Sequence, residues 1–306
     1  MKLTSIILQC LCAGTSLVLA TAATLASAAT ALDAKAIGEA SGAQPSTAAD
    51  GVVKITWART DVPVTVDGMK LPAAAGLGSW AAFAPMASGA MVMGDTVVFE
   101  DEVDAAMDAA FAHGLSVTAI HNHFFHDTPK VYFMHIGGEG KPDALAAAVK
   151  EVWGAIRAVR SAHTEPATSF GGQAPTAAKI DAAAIGKIVG ESATDTQGVA
   201  KITIGRNGTM HGMAVGASMG LTTWAAFSGT DTLAAMDGDF IMTAEESQPV
   251  LKALRKGGIH IVALHTHMMG AQPTLYFTHF WGTGKAEDLA RSFRAALAVQ
   301  AAVEKP

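Results

Sequence analysis

The chain has 306 residues, half of them hydrophobic and 16% charged, with a formal net charge of −6. So much apolar material argues against disorder, and the length suffices for two domains that each bury a core. No Lys/Arg cluster occurs, which sets nucleic acid aside as a partner.

In chain order, residues 1–28 read as an export signal. Lys2 supplies the positive start, an Ile/Leu/Val/Ala-rich run follows, and Ala26-Ser27-Ala28 offers a cleavage site. The run is diluted by Gly, Thr, Ser and Gln, unlike a membrane anchor, and no later stretch is long and apolar enough to span a bilayer. Both cysteines, Cys10 and Cys12, lie inside this segment. The mature chain would then carry no disulfide, no thiolate ligand and no cysteine nucleophile. The expected location is the bacterial periplasm or exterior.

A first unit spans 29–160. An amphipathic helix opens it, and strands are expected at 51–57, 78–84 and 90–99. A helix runs from Glu100 to Gly114, with Val103, Met107, Ala110 and Phe111 on one face. Two strands, 115–124 and 130–137, and a helix over 141–160 complete the unit. Residues 161–178, rich in Pro, Gly, Ser and Thr, read as a linker. The second unit, 179–306, repeats the first. "LDAKAIGEASG" (32–42) returns as "IDAAAIGKIVG" (180–190), "GVVKIT" (51–56) as "GVAKIT" (198–203), "WAAF" (80–83) at 224–227, and "GD" (94–95) at 238–239. Sequence-adjacent strands joined by tight turns predict an α+β fold. It consists of two tandem homologous units, each a mainly antiparallel sheet covered by helices, related by a pseudo-twofold axis.

Six of the 11 histidines fall in two matching triplets: His121, His123 and His135, then His265, His267 and His279, each 144 positions after its counterpart. Strand alternation puts Leu115, Val117, Ala119, His121 and His123 on one face. Turn chemistry in "HDTP" (126–129) predicts a hairpin that returns His135 opposite His121. Three imidazoles would then converge at the end of an apolar face, and Ile259, Ile261, Ala263, His265, His267 and His279 repeat the pattern. Three neutral imidazoles suit a divalent transition metal, zinc first, with copper, nickel or iron as the others. Three protein ligands also leave a coordination position open, as catalytic sites do. The plainer alternative is a set of satisfied polar residues at a strand end.

Glu102 and Asp95 are the candidate catalytic carboxylates, with Glu246 and Asp239 as their counterparts. "TAEE" (243–246) is a capping box, a structural use for the glutamate, and Asp95 and Asp239 serve equally as carboxylates that orient a ligand histidine or as turn formers. His126 and Asp127 occur only in the first unit and read as turn residues. Asp67 stands where the second unit has His211, and Glu139 where it has Thr283, so the two sites could be unequal. "TMHGMAVGASM" (209–219) surrounds a histidine with methionine. Thioethers suit Cu(I), but core filling is their commoner use. "NG" at 207–208 is a hairpin signal, and the "WAAF" pairs read as core aromatics.

"SWAAF" (79–83), "GDTVVFEDEVDAAM" (94–107), "LSVTAIHNHF" (115–124) and "PKVYFMHIGGEG" (129–140) resemble the LppY/LpqO family, as do residues 238–268 and "PTLYFTHFWG" (273–282). The resemblance covers nearly all of the mature chain. It implies an exported bacterial protein built on a tandem domain of unknown function, and brings no reaction with it. Some members resemble lipoproteins, whereas this chain lacks a convincing lipid-attachment cysteine.

These readings lead to an exported protein with paired HxH…H metal sites, as a metal-dependent hydrolase using an activated water. The alternative is a non-catalytic periplasmic protein that binds a metal or small ligand. A structural envelope protein is the third option. The small-molecule substrate or ligand is left open.

Overall fold

A computed structural model describes residues 31–303; the expected export signal lies outside the described residues. The first unit runs α1 (Ala34–Ser41), β1 (Pro45–Thr47), β2 (Val53–Ala58), β3 (Thr65–Val66), β4 (Met69–Lys70), β5 (Gly78–Pro85), β6 (Ala90–Phe99), α2 (Val103–Ala112), β7 (Ser116–Asn122), β8 (Asp127–Thr128), β9 (Val131–Gly140) and α3 (Pro142–Ala162). The second repeats that order. It comprises α4 (Ala182–Val189), β10 (Ala193–Thr196), β11 (Val199–Gly205), β12 (Gly208–Met210), β13 (Met213–Val215), β14 (Thr222–Gly229), β15 (Ala234–Met242), α5 (Ala244–Lys256), β16 (His260–His265), β17 (Ala271–Gln272), β18 (Tyr276–Gly284) and α6 (Ala286–Val303). The fold is α+β, as the sequence predicts.

The strands do not form two separate sheets. They form one sheet of twelve, in the order β1-β2-β5-β6-β9-β7-β16-β18-β15-β14-β11-β10. The order is a palindrome about the β7–β16 junction, where Ile120 pairs with Leu264, so a pseudo-twofold axis passes between the units. Every pairing is antiparallel. One core runs under both units, from Val92, Val98, Ile120, Met134 and Trp153 to Met236, Phe240, Leu264, Phe280 and Phe293. The helices cover that face. Val103, Met107 and Ala110 of α2 are buried as their spacing predicts.

The opposite face carries two small three-stranded sheets, β4-β3-β8 and β13-β12-β17. Each roofs a satellite core: Val97, Phe99, Val131 and Phe133 in the first unit, Ile241, Leu275 and Phe277 in the second. These small sheets correct two expectations. The segment 126–129 does not make a tight hairpin. Asp127 and Thr128 instead pair with Val66 and Thr65, while the Asp127 carboxylate accepts the Val131 amide at 2.8 Å. The second-unit hairpin turns at His211-Gly212, not at Asn207-Gly208. His211 and its counterpart Asp67 both have positive φ, 51° and 48°, before a glycine, the conformation a two-residue hairpin turn demands. Asp67 and His211 are therefore turn residues between paired strands.

A third correction concerns β7. It is bulged between Val117 and Ala119, and β16 between Ile261 and Ala263. A bulge admits one extra residue and inverts the alternation beyond it. Leu115, Val117 and Ile120 face the helices, whereas Ala119 and His121 face away. Strict alternation placed Val117 and His121 on one face; the bulge separates them. The histidines thus stand on the outer face, beside the small sheets, and not at the end of the helix-covered core.

Candidate metal centres

Each trio is assembled from two neighbouring strands and the loop that joins them. Because of the bulge, His135 pairs with Ala119 across β7 and β9, and His121 pairs with Phe133. His135 is thus two residues removed from its expected place opposite His121. The two rings still meet diagonally, with their Nε2 atoms 3.0 Å apart. Two imidazoles that share one ion at about 2.0–2.1 Å have nitrogens roughly 3–3.5 Å apart. His121 Nδ1 lies 3.3 Å from the Asn122 carbonyl, a contact that would fix the ring's tautomer. His123 lies flat on Phe133, with ring centroids 3.3 Å apart and planes within 6°. Its ring centroid is 5.2 Å from that of His121.

The second trio is closed. His265, His267 and His279 offer ligand atoms that all lie within 4.8 Å of one another. His279 pairs with Ala263, and His265 with Phe277. His267 stacks on Phe277 at 3.5 Å, repeating the His123–Phe133 arrangement. Burial lowers the pKa of His265 and His267, and the neighbouring histidines lower it further. Burial also lowers that of His123. His265, His267 and His123 are thereby held towards the neutral form that binds metal.

The repeated "GD" delivers a carboxylate to each trio. Asp95 pairs with His135 on one side and Trp80 on the other, while Asp239 pairs with His279 and Trp224. Asp95 Oδ1 is 3.9 Å from His135 Nε2. Asp239 Oδ2 is 3.2 Å from His267 Nε2, and its Oδ1 is 3.8 Å from His279 Nδ1. Both aspartates are buried, and among the described residues the Oδ1 atoms of Asp95 and Asp239 and the Nδ1 of His265 have no hydrogen-bond partner. Buried polar atoms are normally satisfied. In the second unit an unpaired carboxylate oxygen beside three imidazoles, one of them with an unpaired ring nitrogen, makes a donor set suited to a divalent transition ion. Burial raises Asp239 to about 6, against the opposing pull of His279.

The glycine of each "GD" pair has its own reason. A Cβ on Gly238 would lie 2.1 Å from the Phe280 ring and 2.4 Å from the Trp224 carbonyl; on Gly94 it would lie 2.8 Å from the Trp80 carbonyl. The core side of the strand requires glycine so that the next residue, on the outer side, can sit beside its histidine.

Glu102 does not join the trio. It is fully buried, its Oε2 accepting from the Phe99 amide at 2.9 Å and Arg59 Nη1 at 2.8 Å, and its Oε1 from Arg59 Nη2 at 2.9 Å. Arg160 Nε lies 2.7 Å from Oε1. With both oxygens engaged, Glu102 anchors the start of α2. Glu246 repeats this with Arg206 at 2.6 and 2.8 Å and accepts the Thr243 amide at 2.9 Å, as the capping box predicts. His126, exposed and with φ 58°, is a turn residue whose carbonyl accepts the Asp67 amide. Sequence reading missed Phe133 and Phe277, the ring platforms; their signal was an aromatic two residues before the third histidine of each trio.

A cavity of about 590 Å³ lies elsewhere, between the linker (167–175) and the central strands. Tyr132, Ile120, Ile261 and Trp281 line it with Glu100 and Asp101, and none of the six histidines does. Phe170 of the linker stacks on His260 at 3.6 Å. No helix among the described residues is long and apolar enough to cross a membrane.

No curated protein matches the chain. Among solved structures it is similar to a trimeric bacterial microcompartment shell protein, PduB, at 11% identity over 83% of this chain and 89% of that one, with a TM-score of 0.19. It is also similar to the ethanolamine utilization protein EutL from Leptotrichia buccalis C-1013-b (14%, 70% and 83%, 0.20) and to EtuB from Clostridium kluyveri (11%, 85% and 92%, 0.21). The family model described as Domain of Unknown Function (DUF1259) matches twice, over residues 35–155 and 183–299. Those two matches account for most of the chain, one per structural unit, and the protein belongs to the DUF1259 family.

Proposed function

We propose that each unit holds one divalent transition-metal ion, zinc before copper, nickel or iron, in an exported bacterial protein. The ligands would be His265, His267 and His279 in the second unit, with Asp239 beside them. In the first they would be His121, His135 and His123, with Asp95. The observation that carries the reading is the closed second trio next to a buried aspartate whose Oδ1 has no partner. A bound ion there would act as a Lewis acid and lower the pKa of a water molecule, so the chemistry this reading favours is hydrolysis. The chain's own contribution is to position the three imidazoles, with His267 stacked on Phe277 and with burial favouring the neutral form of His265 and His267. Asp239, beside His267 and His279, is placed where a carboxylate could accept a proton from a water held at the centre.

Metal analysis of protein purified without a histidine tag tests this. Wild type should carry two equivalents of a transition metal. His121→Ala/His123→Ala and His265→Ala/His267→Ala should each carry one, and the wild-type protein should then be run against a panel of hydrolase substrates. Equal metal content in wild type and variants would remove the reading. The linker cavity favours a second reading, a non-catalytic binder of a small organic ligand. That reading predicts ligand binding unaffected by the histidine substitutions and lost when Phe170 is replaced by alanine.

A further inference from the structure

The two trios lie on one surface. Ile120 pairs antiparallel with Leu264, and continuing that ladder by one residue each way sets His121 beside Ala263 and Ala119 beside His265. Joined to the pairings within each unit, two rows cross the sheet: Asp95–His135–Ala119–His265 and Asp239–His279–Ala263–His121. Residues along such a row share a face. His135 and His265 are two strands apart, as are His121 and His279, a separation of about 10 Å. His121 and His265 are diagonal neighbours across the β7–β16 junction, and Ala119 and Ala263 fill the remaining positions of the two rows between His135 and His279.

This spacing is too wide for two ions bridged by a single oxygen, which lie roughly 3.5–4 Å apart. It is short enough for one small molecule to reach both centres over the alanine floor. One aspartate set against each divalent ion leaves a single positive charge at each centre, and two anionic groups on one ligand would match it.

Resting on the metal reading above, we propose that the two centres form one bivalent site for an extended dianion of the dicarboxylate class, with one carboxylate at each centre. Linking two weak contacts in one molecule raises affinity without any new contact.

Calorimetric titration of zinc-loaded, tag-free protein with acetate, succinate, adipate and suberate tests it, alongside a zinc count. Two zinc ions per chain, and one member of the dicarboxylate series bound one per chain at least tenfold tighter than acetate, is the expected result. His265→Ala/His267→Ala should return that dicarboxylate to acetate-like affinity. Two zinc ions with every dicarboxylate binding like acetate would overturn the bivalent site alone. Fewer than two zinc ions would overturn the metal reading and this one together.

Discussion

Asp239 is the residue on which the second centre turns. In the folded chain its carboxyl keeps its proton up to about pH 6, whereas an ordinary aspartate does so only to roughly pH 4. Folding therefore takes up a proton between those values. The stability this group contributes is fully present below about pH 4 and is lost as pH rises through 6. Asp239→Asn should stabilise the metal-free protein at pH 7.5 by roughly 1–3 kcal/mol, a few degrees in melting temperature, and do nothing at pH 4. The same substitution should weaken zinc binding about 10- to 100-fold. A melting temperature unchanged at pH 7.5 would show that the buried charge carries no penalty. The adjacent residue gives a second test of the pair. Gly238→Ala forces a methyl against the Trp224 carbonyl and the Phe280 ring, and should cost roughly 3 kcal/mol in denaturant unfolding.

At the scale of elements, Glu102 and Asp95 part company: Asp95 lies beside His135, and Glu102 is locked beneath α2. Glu102 lies at the start of α2 with Arg59, 1% exposed, and Arg160 packed on it. Removing one partner of a buried ion pair leaves the other charge unpaired. Glu102→Gln should therefore lower stability by about 3 kcal/mol while leaving the metal content at two per chain; a lost equivalent of metal would contradict its role as an anchor. The sequence made much of this legible. The duplicated unit, its five main strands along the chain, the α2 stripe and the capping glutamate all follow from periodicity and cap chemistry, whereas the placing of β9 between β6 and β7 does not. The convergence of His121 with His135 was legible as well, but its geometry was not. A bulge at Thr118 is invisible to strict alternation, because nothing in "SVTAIH" marks an extra residue. Only the pairing partner across β9 reveals that Val117 and Ile120 share a face. The small sheets were hidden for a similar reason: two- and three-residue strands have no period to read.

At the scale of the molecule, the two units are joined by more than a linker. Gln248 of α5 crosses to β7, its Oε1 accepting the Val117 amide at 3.0 Å and its Nε2 donating to the Val117 carbonyl at 2.8 Å. Arg255 grips Asp104 and Asp108 of α2, His260 reaches Asp104, and the apolar core is continuous across the junction. A unit cut free would expose β7 or β16 as an unpaired edge above an opened core. Although the sequence reads as two domains in tandem, the chain should therefore unfold as one. Calorimetry should give a single transition whose calorimetric and van't Hoff enthalpies agree. Gln248→Ala strands a buried amide and carbonyl at the junction, at about 1–3 kcal/mol. That loss should shift the whole transition to lower temperature and leave it single. Two resolved transitions in the wild-type protein would mean that the units fold independently. A Gln248→Ala trace that splits would mean that this one side chain supplies most of the coupling, and that the shared core supplies little.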